Sequence, residues 1–257
     1  MRVTVVGYDA TGEATAKAMR RFGHEVQVQD ANPELQAKAA EAGFPSSLIR
    51  PDVTFVCTPT GIGPDGLLST AALRETFAKT PGIIAIRSSV PLGFTRSLPD
   101  TGRAVYVPCL ADRGDALEAE AASPHVIVGA DSLETAIFVR NLWPPGVVRL
   151  VRPEEAEMAM LAMQAFLAME ASFAQMLNRA CEQFSADFHQ VAYTLRSDQR
   201  VGMWANLKPE RWTEQDLVNN VLHLTRQLGS PRLLEAIWAS DHAEPAPVRA
   251  PVLPKAH

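Results

Sequence analysis

The chain has 257 residues, 47% hydrophobic and 21% charged, and carries a net charge of −5 from 24 basic and 29 acidic side chains. That length suits one large or two modest domains, and the balance excludes a mostly disordered chain. The acidic excess argues against a nucleic-acid binder, and no uninterrupted apolar run reaches the ~20 residues of a membrane span, so neither nucleic acid nor membrane is an expected partner.

The first half alternates between short apolar runs and helical stretches. Arg2 to Val6 reads as a buried parallel strand, followed too soon by a glycine turn to be a signal peptide. A helix is predicted over Ala14 to Phe22 and a second strand over Glu25 to Asp30. Asn32 and Pro33 then supply an N-cap and a first helical residue. Val53 to Cys57, Ile83 to Ile86, Ala104 to Val107, His125 to Gly129 and Val147 to Val151 are further strands. Leu67 to Lys79 and Leu133 to Leu142 are helices between them. Strand–helix alternation demands crossovers, so an α/β, Rossmann-like, doubly wound parallel sheet is expected over residues 1–152.

The pattern changes at Pro153. From Glu154 to Phe184 there is no turn signal, and Met158, Ala162, Ala165, Met169, Phe173, Met176, Ala180 and Phe184 recur on one helical face. Such a helix is roughly 46 Å long, and its apolar face must meet something, most simply a second copy of the chain. A homodimer through the 154–184 helix is therefore expected. More helices are predicted at Phe188 to Leu195, Thr213 to Leu228 and Pro231 to Ala239, giving an all-helical dimerisation domain over 153–240. The proline-rich stretch 241–257 is expected to be an unstructured tail. Cys57, Cys109 and Cys181 are scattered, with no disulfide framework and no C-x-x-C pair, which fits a reducing, cytoplasmic setting. The histidines lack ligand spacing, so no metal is expected. His189 and His223 read as surface or packing residues, and Trp204, Trp212 and Trp238 as fillers of a helical core or dimer seam.

Gly7-Tyr8-Asp9-Ala10-Thr11-Gly12 follows the first strand and opens the first helix, where a dinucleotide fingerprint belongs. Gly7 and Gly12 fill the outer glycine places, but Asp9 holds the middle one. Its carboxylate would oppose a pyrophosphate by about 4 kcal/mol at ~4 Å and an effective dielectric of ~20. Two readings stay open: a weakened dinucleotide site, or a turn in which Asp9 caps its own helix and no phosphate binds. Asp30, at the end of the second strand, suits a ribose diol and favours NAD over NADP; otherwise it is a solvated turn residue.

Several segments in order resemble the UDP-glucose/GDP-mannose dehydrogenase family. They are VVGYDATG with GHEVQVQD, VTFVCTPT at 53–60, SSVPLGFT at 88–95, SPHVIVGADS at 123–132, the long helical stretch 156–192, and DQRVG at 198–202. The resemblance implies an NAD-binding Rossmann domain with Gly7, Asp9, Gly12, Asp30, Thr58, Pro59 and Ser89 at the cofactor, then a helical dimerisation domain and a third domain for the sugar nucleotide. It implies oxidation of a sugar C6 alcohol to a carboxylate through a cysteine thiohemiacetal, assisted by a lysine and an asparagine on the long helix. The chain departs from this set. Trp212 stands where the nucleophilic cysteine should be, Met160 and Gln164 replace the lysine and asparagine, and Cys109 replaces a loop glutamate. Ser89 keeps the hydroxyl of a family threonine, Asp216 matches the aspartate ending the cysteine loop, and nothing after the helices matches the third domain.

The leading expectation is a degenerate relative that binds NAD or another small ligand without the sugar-oxidising activity, because groups that act as a unit are lost together. An NAD-linked oxidoreductase acting on a CH–OH group by acid–base chemistry, with Ser89 and Asp216 as its catalytic residues, is the first alternative. A non-catalytic interaction module is the second. Cys109 as a relocated nucleophile would need a neighbouring base that the sequence does not supply, so a small buried thiol is the better reading.

Overall fold

The computed structural model describes residues 1–47, 50–109, 126–146, 148–202, 205, 207–209, 215–229 and 231–242. Each apolar run expected to be a strand is one: β1 (Arg2–Val6), β2 (Glu25–Gln29), β3 (Val53–Val56), β4 (Ile83–Ile86), β5 (Ala104–Tyr106), β6 (Val126–Ala130) and β7 (Val148–Val151). They form a seven-stranded sheet in the order β2-β1-β3-β4-β5-β6-β7. The register sets Val5 of β1 between Val28 of β2 and Phe55 of β3. One expectation is corrected. The sheet is mixed rather than wholly parallel, because β5 pairs antiparallel with β6, and β6 and β7 run parallel to each other. The chain reverses direction between Tyr106 and Val126, and a strand added antiparallel to an otherwise parallel sheet is a common variation.

Period-two alternation loads both faces. Val3, Val5, Phe55, Ala85 and Val105 share a core with Ala16 and Met19 of α1 (Ala10–Arg21), Ala39 of α2 (Pro33–Glu41) and Val139 of α4 (Leu133–Arg140). On the opposite face Val56, Ile84, Ile86, Ala104 and Tyr106 share a core with Leu73 and Phe77 of α3 (Ala71–Lys79), and with Ala156 and Met160 of α5 (Pro153–Gln183). The helix starts follow local capping. Asp9 caps α1, Asn32 caps α2 ahead of Pro33, and Ser132 caps α4. Capping by Asp9 brings the start of α1 forward from the expected Ala14 to Ala10. Helix α3 starts later than expected, at Ala71, because Ile62 and Leu68 form an antiparallel bridge and the Asp65 carboxylate accepts the Leu67 N–H at 3.0 Å.

The packing falls into two compact units, Met1–Met163 and Gln164–His257, so the first residues of α5 go with the sheet rather than with the helices. Gly129 of β6 permits this: a Cβ there would lie 2.6 Å from the Ala156 Cβ and 3.1 Å from the Pro153 Cα. In the second unit Ala174 and Cys181 of α5 form a core with Phe188 and Ala192 of α6 (Phe188–Ser197) and with Leu207. Ser185, at φ 54°, ends α5, and Asp187 caps α6 by accepting the His189 N–H at 2.8 Å. Helices α7 (Gln215–Gln227) and α8 (Arg232–His242) complete the described part of this unit. Helix α8 thus runs into the stretch expected to be tail, and residues 243–257 lie outside the described residues.

By length and composition α5 is apolar enough to cross a membrane, a property that no unbroken apolar run reveals because single polar residues interrupt it. A third of its most apolar window, 33%, is buried inside the protein.

The closest approach in the sheet unit lies at the first turn. A Cβ on Gly12 would sit 1.9 Å from the Gly7 carbonyl oxygen, a backbone atom that cannot swing aside. Gly12→Ala is therefore expected to cost about 3 kcal/mol, as severe overpacking does. Denaturant unfolding will show this as a lower midpoint at unchanged slope. An unchanged midpoint would contradict the packing described.

Candidate functional site

In an open α/β sheet, ligands bind outside the carboxyl ends of the strands, where the strand order switches sides. Here the chain passes from β1 to β2 on one flank and returns to β3 on the other, so the switch lies beyond β1 and β3. Four segments emerge at that end: Gly7 to Gly12 after β1, Asp30 after β2, Cys57 to Thr60 after β3, and Arg87 to Ser89 after β4. Among the described residues, the structure thus gathers Gly7, Asp9, Gly12, Asp30, Thr58, Pro59 and Ser89 at one edge of the sheet. Asp216 lies in the second unit as the second residue of α7, and its side chain is outside the described residues, as is the whole of Trp212.

The turn is held tightly. Gly7 has φ +94°, and a Cβ there would lie 2.9 Å from both the carbonyl carbon and oxygen of Cys57. Its N–H donates to the Gln29 carbonyl at 2.9 Å. Of the two readings of Asp9, the structure contains the self-capping contact: Oδ1 accepts the Gly12 N–H at 3.1 Å, and the Asp9 carbonyl accepts the Glu13 N–H at 2.8 Å. Asp30 is no loose surface acid. Its Oδ2 accepts the Tyr8 N–H at 2.6 Å and its Oδ1 accepts the Asn32 N–H at 2.7 Å, which ties the end of β2 to the glycine turn. Each of these oxygens retains a further lone pair for a hydroxyl donor.

Beyond β3 and β4 the rim is polar. Thr58 Oγ1 is a buried atom with no hydrogen-bond partner. Ser88 donates to the Val56 carbonyl from both N–H, at 3.2 Å, and hydroxyl, at 3.3 Å. Ser89 and Arg87 are both buried. Pro59 is exposed.

The thiols differ. Burial pushes the Cys57 thiol up to about 12, outweighing the field of Arg87. Cys109, after β5, is half-buried, not fully buried as expected, while Cys181 is buried. Met160 is buried in the apolar cluster that contains Ile86 and Tyr106, and it offers no charge there. His189 is exposed, and His223 is buried with Nε2 2.9 Å from Gln227 Oε1. Among the described residues, no group of three or more His, Cys, Asp or Glu side chains could hold a metal ion.

Sequence reading missed Glu157. Its carboxylate, 0% exposed, accepts the Gly93 N–H at Oε2 (2.5 Å) and the Thr95 N–H at Oε1 (2.8 Å). Burial raises its pKa above the ordinary carboxylate value despite the hydrogen bonds from Thr95 and Gly93, which favour the charged form. A usable signal was present, because Glu157 shares a helical face with Met160, Leu161 and Ala168.

Comparison with known proteins bears out the resemblance. Residues 154–232 match the sequence model of the central domain of the UDP-glucose/GDP-mannose dehydrogenase family. The UDP-glucose 6-dehydrogenase YwqF of Bacillus subtilis is 24% identical over 246 residues, covering 79% of this chain and 56% of that protein. A UDP-glucose 6-dehydrogenase of Pseudomonas aeruginosa is 23% identical over 252 residues, with coverage of 79% and 56%. The chain thus spans a little over half the length of these relatives. Among solved structures, a UDP-glucose dehydrogenase from Pyrobaculum islandicum superposes with a TM-score of 0.80 at 20% identity, over 93% of this chain and 67% of that one. The GDP-mannose dehydrogenase of Pseudomonas aeruginosa gives 0.68 at 17% identity, over 94% and 68%. These likenesses show the Rossmann-like fold.

A thiol held at about 12 is ionised at pH 8 only to about one part in ten thousand, so Cys57 should be inert. Alkylation of the native protein followed by peptide mass mapping is expected to modify Cys109 and spare Cys57. Modification of Cys57 at a rate comparable to that of Cys109 would contradict this assignment.

Proposed function

We propose that this chain is a dinucleotide-binding relative of the nucleotide-sugar dehydrogenases that does not perform their cysteine-dependent oxidation, and that it acts as a homodimer. The observation that carries the reading is Met160, a buried methionine in an apolar cluster at the place where the resemblance implies an ammonium group. A thioether cannot stabilise a developing oxyanion, and positioned charge of that kind supplies much of an enzyme's rate enhancement. Cys57, buried and held protonated, supplies no substitute nucleophile beside the crevice.

The ligand best supported is NAD. The residues present fit its adenosine half: the Gly7 and Gly12 backbones leave no room for side chains, and Asp30 stands at the end of β2 with acceptor capacity for a ribose diol. That carboxylate disfavours a 2′-phosphate. At the pyrophosphate place the fit is poorer, because the Asp9 carboxylate occupies the Gly12 N–H. When bound, the dinucleotide would supply hydride chemistry. Thr58 and Ser89 line the rim between the glycine turn and the exit from β4, and they would orient its distal half.

The dimer reading rests on α5. Met158, Phe173, Met176 and Phe184, all on the apolar face read from the sequence, are exposed, as are Met163 and Phe166 beside them. Exposed aromatic and methionine side chains along one helix mark a surface for a partner. Pairing of two such helices covers it most simply.

Three results are expected. Calorimetric titration will show saturable NAD binding, and Asp9→Gly will tighten it by about tenfold or more as the opposing charge is removed. Purified protein with UDP-glucose or GDP-mannose and NAD will form no NADH. Turnover of either sugar nucleotide would refute the loss of oxidation, and absence of binding at millimolar NAD would refute the dinucleotide reading. Light scattering will give a dimer, and the double variant Phe173→Glu, Met176→Glu will shift it towards monomer. A monomeric wild type would refute the dimer.

A further inference from the structure

The segment that leaves β4 is anchored at two places. Its start is fixed by Ser88, which donates to the Val56 carbonyl at the end of β3 from both N–H and hydroxyl. Its far end turns at Gly93, with φ +84°, and is held by Glu157 through the N–H groups of Gly93 and Thr95. Between these anchors run Ser89, Val90, Pro91 and Leu92. Val90 and Phe94 are buried in the core beneath. One end of the lip is therefore set by the sheet, and at the other, on either side of the buried Phe94, a carboxylate on α5 holds the backbone. A carboxylate with no exposure is costly to bury, and here it spends its acceptors on two backbone donors of one loop.

We propose that Glu157 is a positioning residue for the cofactor crevice: by gripping Gly93 and Thr95 it fixes the lip that carries Ser89 and so sets the affinity for a dinucleotide. This rests on the dinucleotide reading above. Glu157 touches no reacting atom and acts through the lip.

The grip depends on ionisation. A carboxylate accepts both N–H groups, whereas a carboxylic acid must direct its own proton somewhere and accepts less well on that side. The groups facing it are the Tyr106 hydroxyl from β5, Arg96 from the turn and Glu154 from its own helix. Arg96 is engaged with Asp131 at 2.5 Å and Glu154 at 2.7 Å. Burial raises the folded-state pKa of Glu157, so the folded protein binds this proton more tightly than the unfolded chain does. The resulting stability is fully present below the ordinary carboxylate value and is lost as pH rises through the folded-state value. Grip and global stability thus respond to pH in opposite directions: protonation relieves the buried charge and loosens the lip.

The test measures NAD affinity by calorimetry, and amide hydrogen exchange at Gly93 and Thr95 corrected for intrinsic rates, across mildly acidic to mildly alkaline pH. In the wild type, exchange at both amides should rise and NAD affinity should fall as pH drops through the titration of Glu157. Glu157→Gln should bind NAD at least about tenfold more weakly at neutral pH and lose this pH dependence. Glu157→Asp should restore part of the affinity and all of the pH dependence. A folded Glu157→Gln protein with wild-type affinity and pH profile would overturn the proposal alone. If that variant does not fold, exchange at Gly93 and Thr95 in the wild type that ignores pH would overturn it instead. A wild type that binds no NAD overturns the dinucleotide reading, and this proposal with it.

Discussion

Gly7 and Gly12 approach each other and the end of β3 so closely that neither position has room for a Cβ. That contact fixes how α1 leans on the sheet where β1 ends. Everything proposed about ligand binding depends on this one backbone junction. Asp30 reinforces it from β2 through the Tyr8 N–H, so three strand ends are locked together before any ligand arrives. The same junction carries its own competitor. Asp9 gives the Gly12 N–H an acceptor within the chain, and a phosphate must displace that contact or share the donor with it. The turn proposed to hold a dinucleotide is therefore partly satisfied by its own side chain.

Helix α5 meets two demands along one length. Near its start Ala156, Glu157 and Met160 face inward with the sheet unit, and Glu157 secures the loop from β4. Further along, Phe166, Phe173 and Met176 are exposed. An apolar face of this kind is unstable against water unless covered, whereas a buried carboxylate is unstable unless hydrogen-bonded. The chain satisfies the second within itself, and the first is what the proposed homodimer would cover. Met160 lies on the inward side. A thioether there carries no charge to desolvate and offers no electrostatic help to an oxyanion.

Much of this architecture could be read from residue pattern. The seven strands are short, β-branched and bounded by turn residues, and their positions differ from expectation by a residue or so. The glycine turn was placed correctly because both flanking elements have clear periods. The antiparallel pairing of β5 with β6 was not legible, since strand direction is a property of the connection and leaves no mark on the strand's own pattern. The start of α3 was misplaced because Leu67 and Leu68 resemble the apolar beginning of a helix, while the Asp65-Gly66 turn before them closes a bridge. Glu157 escaped notice because it follows Glu154 and Glu155, where acidic residues are ordinary helix-start companions. Its place on one helical face with Met160, Leu161 and Ala168 marks it as the one that turns inward. Asp30 is placed by its position in the sequence, and its Asn32 donor is a local turn contact, but the Tyr8 donor, 22 residues away, is a tertiary contact that no spacing rule contains.

The most direct measurement is a crystal structure of the protein soaked with NAD. Density is expected for the adenosine ribose on Asp30, the pyrophosphate over the first turn of α1 with the Asp9 carboxylate turned off the Gly12 N–H, and Met160 still packed in its apolar cluster. A crevice that stays closed over Asp9 at saturating NAD would contradict retention of the cofactor site. An ammonium group and a reactive thiol converging on the nicotinamide would contradict the loss of the oxidising machinery.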